Sequence, residues 1–184
     1  MVRTPRIAPP LVTLIALTAA LSGCSGGADD RASVGSDQLV RVQRVVDGDT
    51  IVVRTANGTD RVRYIGVDTP ESVKPNTPVQ CWGKKASALN RSMVEGRRVN
   101  LKYDRERRDR YGRLLAYVSR EDGLDVNAAL ISAGAAKTLE ISPNTSRAAR
   151  FRGLERKARS ERRGMWGECP ASQGSGGSLV LFSG

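Results

Sequence analysis

Residues 39–55 read Leu39-Val-Arg-Val-Gln-Arg-Val-Val46-Asp47-Gly48-Asp49-Thr50-Ile-Val-Val-Arg-Thr55, and this stretch decides the fold. Its alternating, β-branched side chains predict two strands, at 39–46 and 50–55, joined across the Asp47-Gly48 turn. Asn57-Gly58 is a second hairpin signal because it accepts positive φ values, and a third strand is expected at 60–67. Two more strands are predicted at 97–103 and 114–119. The five should form a meander with one insertion.

The segments between and after these strands show the periodicity of helices. Apolar side chains spaced for one helix face predict helices at 84–95, at 126–133 and from residue 146 toward Gly164. Asp125 is the expected N-cap of the second helix and Gly134 its C-terminal stop. The third helix is rich in arginine, and this basic run fits either a solvated face or a binding surface.

The N-terminus reads as an export signal. Residues 1–23 combine Arg3 and Arg6 with a short apolar core and end in Leu-Ser-Gly before Cys24, which resembles a bacterial lipobox. Lipid on Cys24 would hold the protein on the outer face of the cell membrane; ordinary secretion with an incidental cysteine is the alternative. We expect residues 24–37 to be a flexible tether, 38–170 one domain, and 171–184 a disordered tail.

The charge predicts an anionic partner. Without residues 1–23 the chain has 28 basic and 19 acidic side chains, a net charge of +9. Nucleic acid fits this charge, and so do anionic lipid and cell-wall polymers. Net charge alone does not separate these partners.

If Cys24 carries lipid, Cys81 and Cys169 are the two cysteines that remain. In an oxidising compartment one disulfide is the expected outcome. A thiolate nucleophile or metal ligand is the alternative, but the chain contains no histidine and so offers neither a common zinc site nor a Cys–His dyad.

Two acidic loops are candidates for a metal site. Asp47 and Asp49 flank a glycine, and Asp68-Thr69-Pro70-Glu71 follows a predicted strand. A turn rich in Asp and Gly needs no metal to explain it. Two such loops at one end of a sheet could nevertheless supply the carboxylate and carbonyl oxygens that Ca²⁺ prefers.

Arginines supply the complementary charge. Arg63 precedes Asp68 by five residues, so strict alternation sends the two side chains to opposite faces, and a shared site requires a bulge or strand exit near Gly66. Five arginines also lie within residues 105–113, a pattern that fits a solvated hairpin or a phosphate-attracting lip. There, Tyr111-Gly112-Arg113 would place Arg113 at the start of a strand.

In order along the chain, Asp47–Thr50, Arg63–Glu71, Asp109–Arg113 and Gly164–Trp166 resemble the motifs of the thermonuclease family, the staphylococcal-type nucleases. The resemblance covers residues 39–166. It implies an α+β, mainly β fold, with a five-stranded OB-type barrel and three helices. It also implies calcium-dependent cleavage of DNA and RNA, single-stranded or locally opened, to 3′-phosphate products.

Roles for single residues follow from the same resemblance. Asp49, Asp68 and the Thr69 carbonyl would bind Ca²⁺, with Asp47 in support. Glu71 would be the general base, while Arg63 and Arg113 would bind the scissile phosphate. Tyr111 and Arg110 would contact the substrate. Residues 137–143 lack the tyrosines that the best-known members place against the nucleotide.

Two other functions remain open at this point. One is a catalytically inactive, OB-type nucleic-acid-binding lipoprotein at the cell surface. The other is a lipoprotein that adheres to cell wall or lipid through its charge. The complete acidic and arginine set favours the enzyme over both. We expect the protein to be a monomer.

Overall fold

A computed structural model describes residues 38–73 and 78–170, and its centre is a closed barrel. The barrel strands are β1 (Gln38–Val45), β2 (Thr50–Thr55), β3 (Gly58–Tyr64), β5 (Arg98–Lys102) and β6 (Leu114–Arg120). Two short strands, β4 (Val67–Asp68) and β7 (Lys137–Thr138), pair outside it. The helices are α1 (Gly83–Val94), α2 (Val126–Ser132), α3 (Ala148–Ser160) and the single turn α4 (Met165–Glu168). The predicted α+β fold with a five-stranded barrel and three helices is confirmed.

The strand order corrects the expected meander. The barrel closes in the order β1-β2-β3-β6-β5, and β3 pairs with β6 in parallel while the other pairs are antiparallel. The segment holding β4 and α1 is long enough to carry the chain across the barrel. The chain therefore returns as β5 beside β1, and β6 fills the remaining gap. Closure leaves no exposed edge in this sheet.

The third predicted strand is shorter than expected. β3 ends at Tyr64, and Gly66 turns the chain with a φ of 75°. A Cβ at Gly66 would lie 2.6 Å from the Phe151 ring of α3, so only glycine fits here. Beyond the turn, β4 pairs with β7 and sets Asp68 opposite Lys137.

The helices pack around a core drawn from the whole chain. The side chains of Ile51, Val53 and Val62 are fully buried inside the barrel. Asp125 caps α2 by accepting a hydrogen bond from the Ala128 amide, as predicted. The third predicted helix is shorter than expected, because α3 begins at Ala148 and ends at Ser160, four residues before Gly164; α4 is a separate turn after that glycine.

A disulfide joins Cys81, just before α1, to Cys169, just after α4. The predicted pairing is therefore present, and neither thiol remains for chemistry. The predicted signal at 1–23, the lipidated Cys24, the tether at 24–37 and the tail at 171–184 lie outside the described residues. No helix among the described residues is long and apolar enough to cross a membrane.

Candidate active site

The turn between β1 and β2 is held from beneath by buried hydrogen bonds. Asp47 accepts from the Asp49 amide through Oδ1 at 3.0 Å. Asn90 of α1 is fully buried, donates to the Asp47 carbonyl at 3.1 Å and accepts from the Tyr64 hydroxyl at 2.9 Å. Because residues of α1 and β3 both hold this turn, the position of the Asp49 carboxylate is fixed.

Thr69 joins the second acidic loop to the first. Its backbone N–H and its hydroxyl both donate to Asp49 Oδ2 at 2.8 Å. This approach requires Gly48, because a Cβ there would lie 2.6 Å from the Thr69 Oγ1. The glycine of the Asp47–Asp49 motif is thus explained by close packing of the two loops.

Arg63 bridges two carboxylates. Its Nη1 lies 3.1 Å from Asp49 Oδ1, and its Nη2 lies 3.3 Å from Asp68 Oδ1. Nη1 also donates to the Val67 carbonyl at 2.6 Å. The strand exit predicted near Gly66 is confirmed, because the turn there brings Asp68 back to the face that Arg63 occupies. No described residue accepts a hydrogen bond from the Arg63 Nε.

Two of the acidic side chains, Asp47 and Asp68, have raised pKa values. Burial, with the nearby Asp49 charge, raises the pKa of Asp47 to about 6. Burial also raises the pKa of Asp68; Arg63 partly offsets this, and the charges of Asp49 and Glu71 add to it. At Asp68, the charge of Arg63 therefore only partly offsets burial and the neighbouring carboxylates.

The donor set suits a hard cation. Asp49 and Asp68 are carboxylates on adjacent loops that Arg63 joins, and they offer oxygen, the ligand type that Ca²⁺ and Mg²⁺ prefer. Within 38–73 and 78–170, no group of three or more Asp, Glu or Cys side chains gathers to hold a metal. A cation here would need waters or substrate oxygens to complete its shell.

Glu71 is fixed by its own loop. Its Oε1 accepts from the amides of Ser72 at 3.0 Å and Val73 at 3.1 Å. Its backbone makes two hydrogen bonds to Gln80, both at 2.9 Å. Gly83 allows α1 to pack on this loop, since a Cβ at residue 83 would lie 2.4 Å from the Glu71 carbonyl oxygen. Glu71 is thus anchored near Asp68, whose pKa it helps to raise.

Asp109 holds Arg113 in place. Its Oδ1 accepts from the amides of Tyr111 at 2.9 Å and Arg113 at 3.0 Å, and its Oδ2 accepts from the Arg113 Nε at 2.7 Å. In the described part of the chain nothing accepts from the two Nη groups of Arg113. One edge of the guanidinium is anchored, and its Nη donors are left for a ligand.

Four of the predicted site residues line one cleft of about 490 Å³: Arg63, Arg110, Tyr111 and Arg113. Tyr111 is 68% exposed and accepts a hydrogen bond from Arg110 Nη2 at 2.7 Å. Leu139 and Ile141 line the same cleft, so segment 137–143 contributes aliphatic rather than aromatic side chains to it. The predicted metal ligands Asp49, Asp68 and Thr69 and the predicted base Glu71 are not part of this lining; Asp49 and Asp68 are joined to it through their ion pairs with Arg63.

Two supporting residues were missed at the level of sequence. Asp109 has a readable signal, since an aspartate two residues before Tyr111 and four before Arg113 can bond to both amides of a tight turn. Asn90 has none: it looks like an ordinary polar position of α1, and only the fold brings it under Asp47.

Comparison with known proteins gives one family. A family model described as staphylococcal nuclease homologue matches residues 61–168. A thermonuclease of Staphylococcus intermedius is 43% identical over 125 residues, which cover 68% of this chain and 74% of the relative. A thermonuclease of Staphylococcus hyicus is 40% identical over 134 residues, 73% of this chain and 79% of the relative. Endonuclease YncB of Bacillus subtilis (strain 168) is 43% identical over 129 residues, 69% of this chain and 61% of the relative.

Proposed function

The chain belongs to the staphylococcal nuclease family, and from that premise we propose that it is a calcium-dependent nuclease that hydrolyses DNA and RNA to 3′-phosphate products. One observation carries the proposal. Two guanidiniums, Arg63 and Arg113, line one cleft, and one of them is bound directly to a pair of carboxylates. In metal-assisted phosphodiester cleavage, cationic planar groups and a metal held by oxygen ligands stabilise the charge that grows on the phosphate.

The two arginines have the first role. Arg113 presents its Nη donors to the cleft while Asp109 holds its Nε, a geometry suited to two hydrogen bonds on one phosphate. Arg63 keeps its Nε for a phosphate oxygen. Both groups would bind the substrate and stabilise the charge that grows on the phosphate oxygens during displacement.

The acidic residues have the second role. Asp49, Asp68 and the Thr69 carbonyl would hold Ca²⁺, and Asp47 would support Asp49 through the amide contact. Bound there, the ion would supply a Lewis acid for the phosphate and for a nearby water. Glu71 would orient that water and take its proton, as a general base does. Tyr111 and Arg110 would contact the nucleotide at the mouth of the cleft.

A direct test uses the exported chain on single-stranded DNA and on RNA. Degradation should require Ca²⁺, stop with EDTA and leave 3′-phosphate ends. Glu71→Gln should lose turnover while keeping substrate binding. Arg113→Lys should lose about 10²-fold in rate, because it keeps the charge and removes the fork. Binding to nucleic acid without degradation under any metal would instead favour the inactive binding module.

The location is part of the same proposal. Removal of residues 1–23 and lipid on Cys24 would place a monomeric enzyme on the outer face of the cell membrane. The Cys81–Cys169 disulfide agrees with an oxidising compartment. Cys24→Ser should release the protein from the membrane fraction without changing its specific activity. Release of the parent chain as well would favour plain secretion.

A further inference from the structure

A group of arginines that do not line the cleft lies on the outer face of the barrel. We call Arg41, Arg44, Arg54, Arg61 and Arg98 the arginine face. They lie on four adjacent strands, β3, β2, β1 and β5, and all five are exposed.

The strand register shows how close together these arginines are. Arg41 pairs directly with Arg54 of β2 on one side and with Arg98 of β5 on the other. Val52 of β2 pairs with Arg44 on one side and Arg61 on the other. Adjacent strands are about 4.8 Å apart, so Arg54, Arg41 and Arg98 form a row of neighbouring cations, whereas Arg44 and Arg61 lie two strand spacings apart with Val52 between them. Like charges directly opposite one another destabilise a sheet, and such a row therefore needs a reason outside the fold.

Most of this charge is not neutralised by the protein. Among the described residues, Arg44, Arg54 and Arg61 make no ion pair and no side-chain hydrogen bond. Arg41 donates to the Gly96 carbonyl, and Arg98 lies 3.6 Å from Glu121. The arginine-rich helix α3 is different. Arg147 at its N-cap and Arg150, Arg152 and Arg159 within it all pair with carboxylates, so its charge is largely balanced.

The arginine face continues into the proposed catalytic site. Arg61 and Arg63 are two residues apart on β3, so their side chains leave the same side of the sheet. In the parallel β3–β6 pair, Val62 is opposite Leu114, which sets Arg113 beside Arg61 by register. A polyanion held at Arg63 and Arg113 would meet Arg61 next, then Arg44 and Arg54.

From this geometry we infer that the arginine face is a second binding surface for the polynucleotide backbone, outside the cleft. It binds the part of the strand that extends beyond the cleaved phosphate. This rests on the proposed nuclease function. In OB-type barrels the face of strands 2 and 3 commonly binds oligonucleotides, and Arg54 and Arg61 lie on β2 and β3. No aromatic side chain belongs to the arginine face, so the contacts are to phosphate, independent of base and dependent on salt.

The consequence is a preference for long substrates. A fragment of two or three nucleotides fills only the cleft, whereas a long strand reaches both surfaces. Each phosphate contact on a single strand contributes about 0.7 to the slope of log affinity against log salt. Three contacts therefore contribute about 2, so between 50 and 200 mM salt the parent should lose about 20-fold more affinity than a variant without them.

The test compares two triple variants of the full chain. Arg44→Gln/Arg54→Gln/Arg61→Gln removes three side chains of the arginine face that make no contact in the fold. The matched control, Arg156→Gln/Lys157→Gln/Arg162→Gln, removes the same charge from the exposed side of α3 and the residues after it. Binding to a 30-nucleotide single-stranded DNA is measured by fluorescence anisotropy in EDTA across salt concentrations.

The arginine-face variant should lower the salt slope by about 2, and the control should lower it by less than half as much. Cleavage of a dinucleotide should stay unchanged in both. Equal slopes for the two variants would refute the inference, as would loss of binding to anionic phospholipid vesicles with DNA binding intact. Because binding is measured without metal, failure of the nuclease proposal would show only in the cleavage arm.

Discussion

Replacing Asp109 by Asn tests whether the active site depends on a fixed Arg113. The carboxylate of Asp109 joins the Arg113 Nε to two amides of the same turn. These bonds outweigh the effect of burial and lower the pKa of Asp109, so it is charged at neutral pH. Asparagine can keep the two amide bonds through its oxygen. It then turns an NH₂ group toward the Nε–H, and two donors face each other.

The size of the effect follows from the bond that is lost. The Nε–Oδ2 distance is 2.7 Å, which is that of a charge-assisted hydrogen bond. Such bonds contribute about 1.5–3 kcal/mol, and each 1.4 kcal/mol is a tenfold change in rate. Asp109→Asn should therefore lower kcat by about 10- to 100-fold. KM should change less, because the arginine contributes most when charge has built up on the phosphate.

Steady-state cleavage of a short single-stranded DNA at saturating Ca²⁺ measures this effect. Asp122→Asn is the matched control, since Asp122 also pairs with a nearby arginine, Arg120, in an exposed turn. The double variant Asp109→Asn/Arg113→Lys should be no slower than Arg113→Lys alone, because Asp109 acts only through Arg113. Full additivity, or an unchanged kcat for Asp109→Asn, would show that Arg113 needs no such anchor.

Three further predictions concern other parts of the molecule. Gly48→Ala should weaken Ca²⁺ binding at least tenfold in calorimetric titration. The new Cβ would lie 2.6 Å from the Thr69 Oγ1 and would push Thr69 away from Asp49. The two hydrogen bonds from Thr69 to the Asp49 carboxylate would then be lost, each worth about 1.5–3 kcal/mol. Gly153→Ala, with its nearest neighbour at 3.9 Å, is the control, and equal affinities for the two would contradict the packing argument. Glu155→Gln should be less stable than the parent in urea at pH 7 but nearly equal near pH 3. Burial raises the pKa of Glu155, but hydrogen bonds from Thr138 and Arg159 outweigh it, so the pKa is lowered overall. The contribution of Glu155 to the free energy of unfolding is therefore present above the usual glutamate pKa and disappears as pH falls through the folded-state pKa. A constant difference across pH would exclude this role. Cys81→Ser/Cys169→Ser should lose up to about 4–5 kcal/mol of unfolding free energy, since the bond closes an 88-residue loop in the unfolded chain, and the reduced parent should match it. Midpoints equal to the oxidised parent would show that the bond is dispensable.

Much of the fold was predictable because its signals are local. Alternation of side chains and the turn residues Gly48 and Gly58 place the first three strands within a few residues of their observed bounds. The sequence also predicts that Gly66 must break β3, because Arg63 and Asp68 could not otherwise share a site. The reason that only glycine serves there is not local, since it comes from the ring of Phe151, far along the chain.

The strand order and the arginine face could not be predicted from local sequence signals. Alternation indicates that Arg41, Arg54 and Arg61 point outward, but not which strands lie side by side. A meander would have paired β3 with β5, whereas the barrel pairs β3 with β6 and so brings Arg61 beside Arg113. The third helix shows the opposite case. Its run of arginines suggests a binding surface in the sequence. In the structure, carboxylates on other elements or within the helix pair with these arginines and balance their charge.

The alternation of side chains along β3 decides which residues enter the core of the barrel and which reach the proposed active site. On β3, Val62 and Tyr64 point inward and are buried, while Arg61 and Arg63 occupy the alternate positions on the outside. A slip of one residue would exchange the two sets and put guanidiniums into the core, at a cost that no surface contact could offset. The apolar residues therefore decide where the arginines stand, although they touch no substrate. It follows that a core substitution that shifts the register of β3 should abolish catalysis, whereas loss of Arg61 or Arg63 should leave the barrel folded.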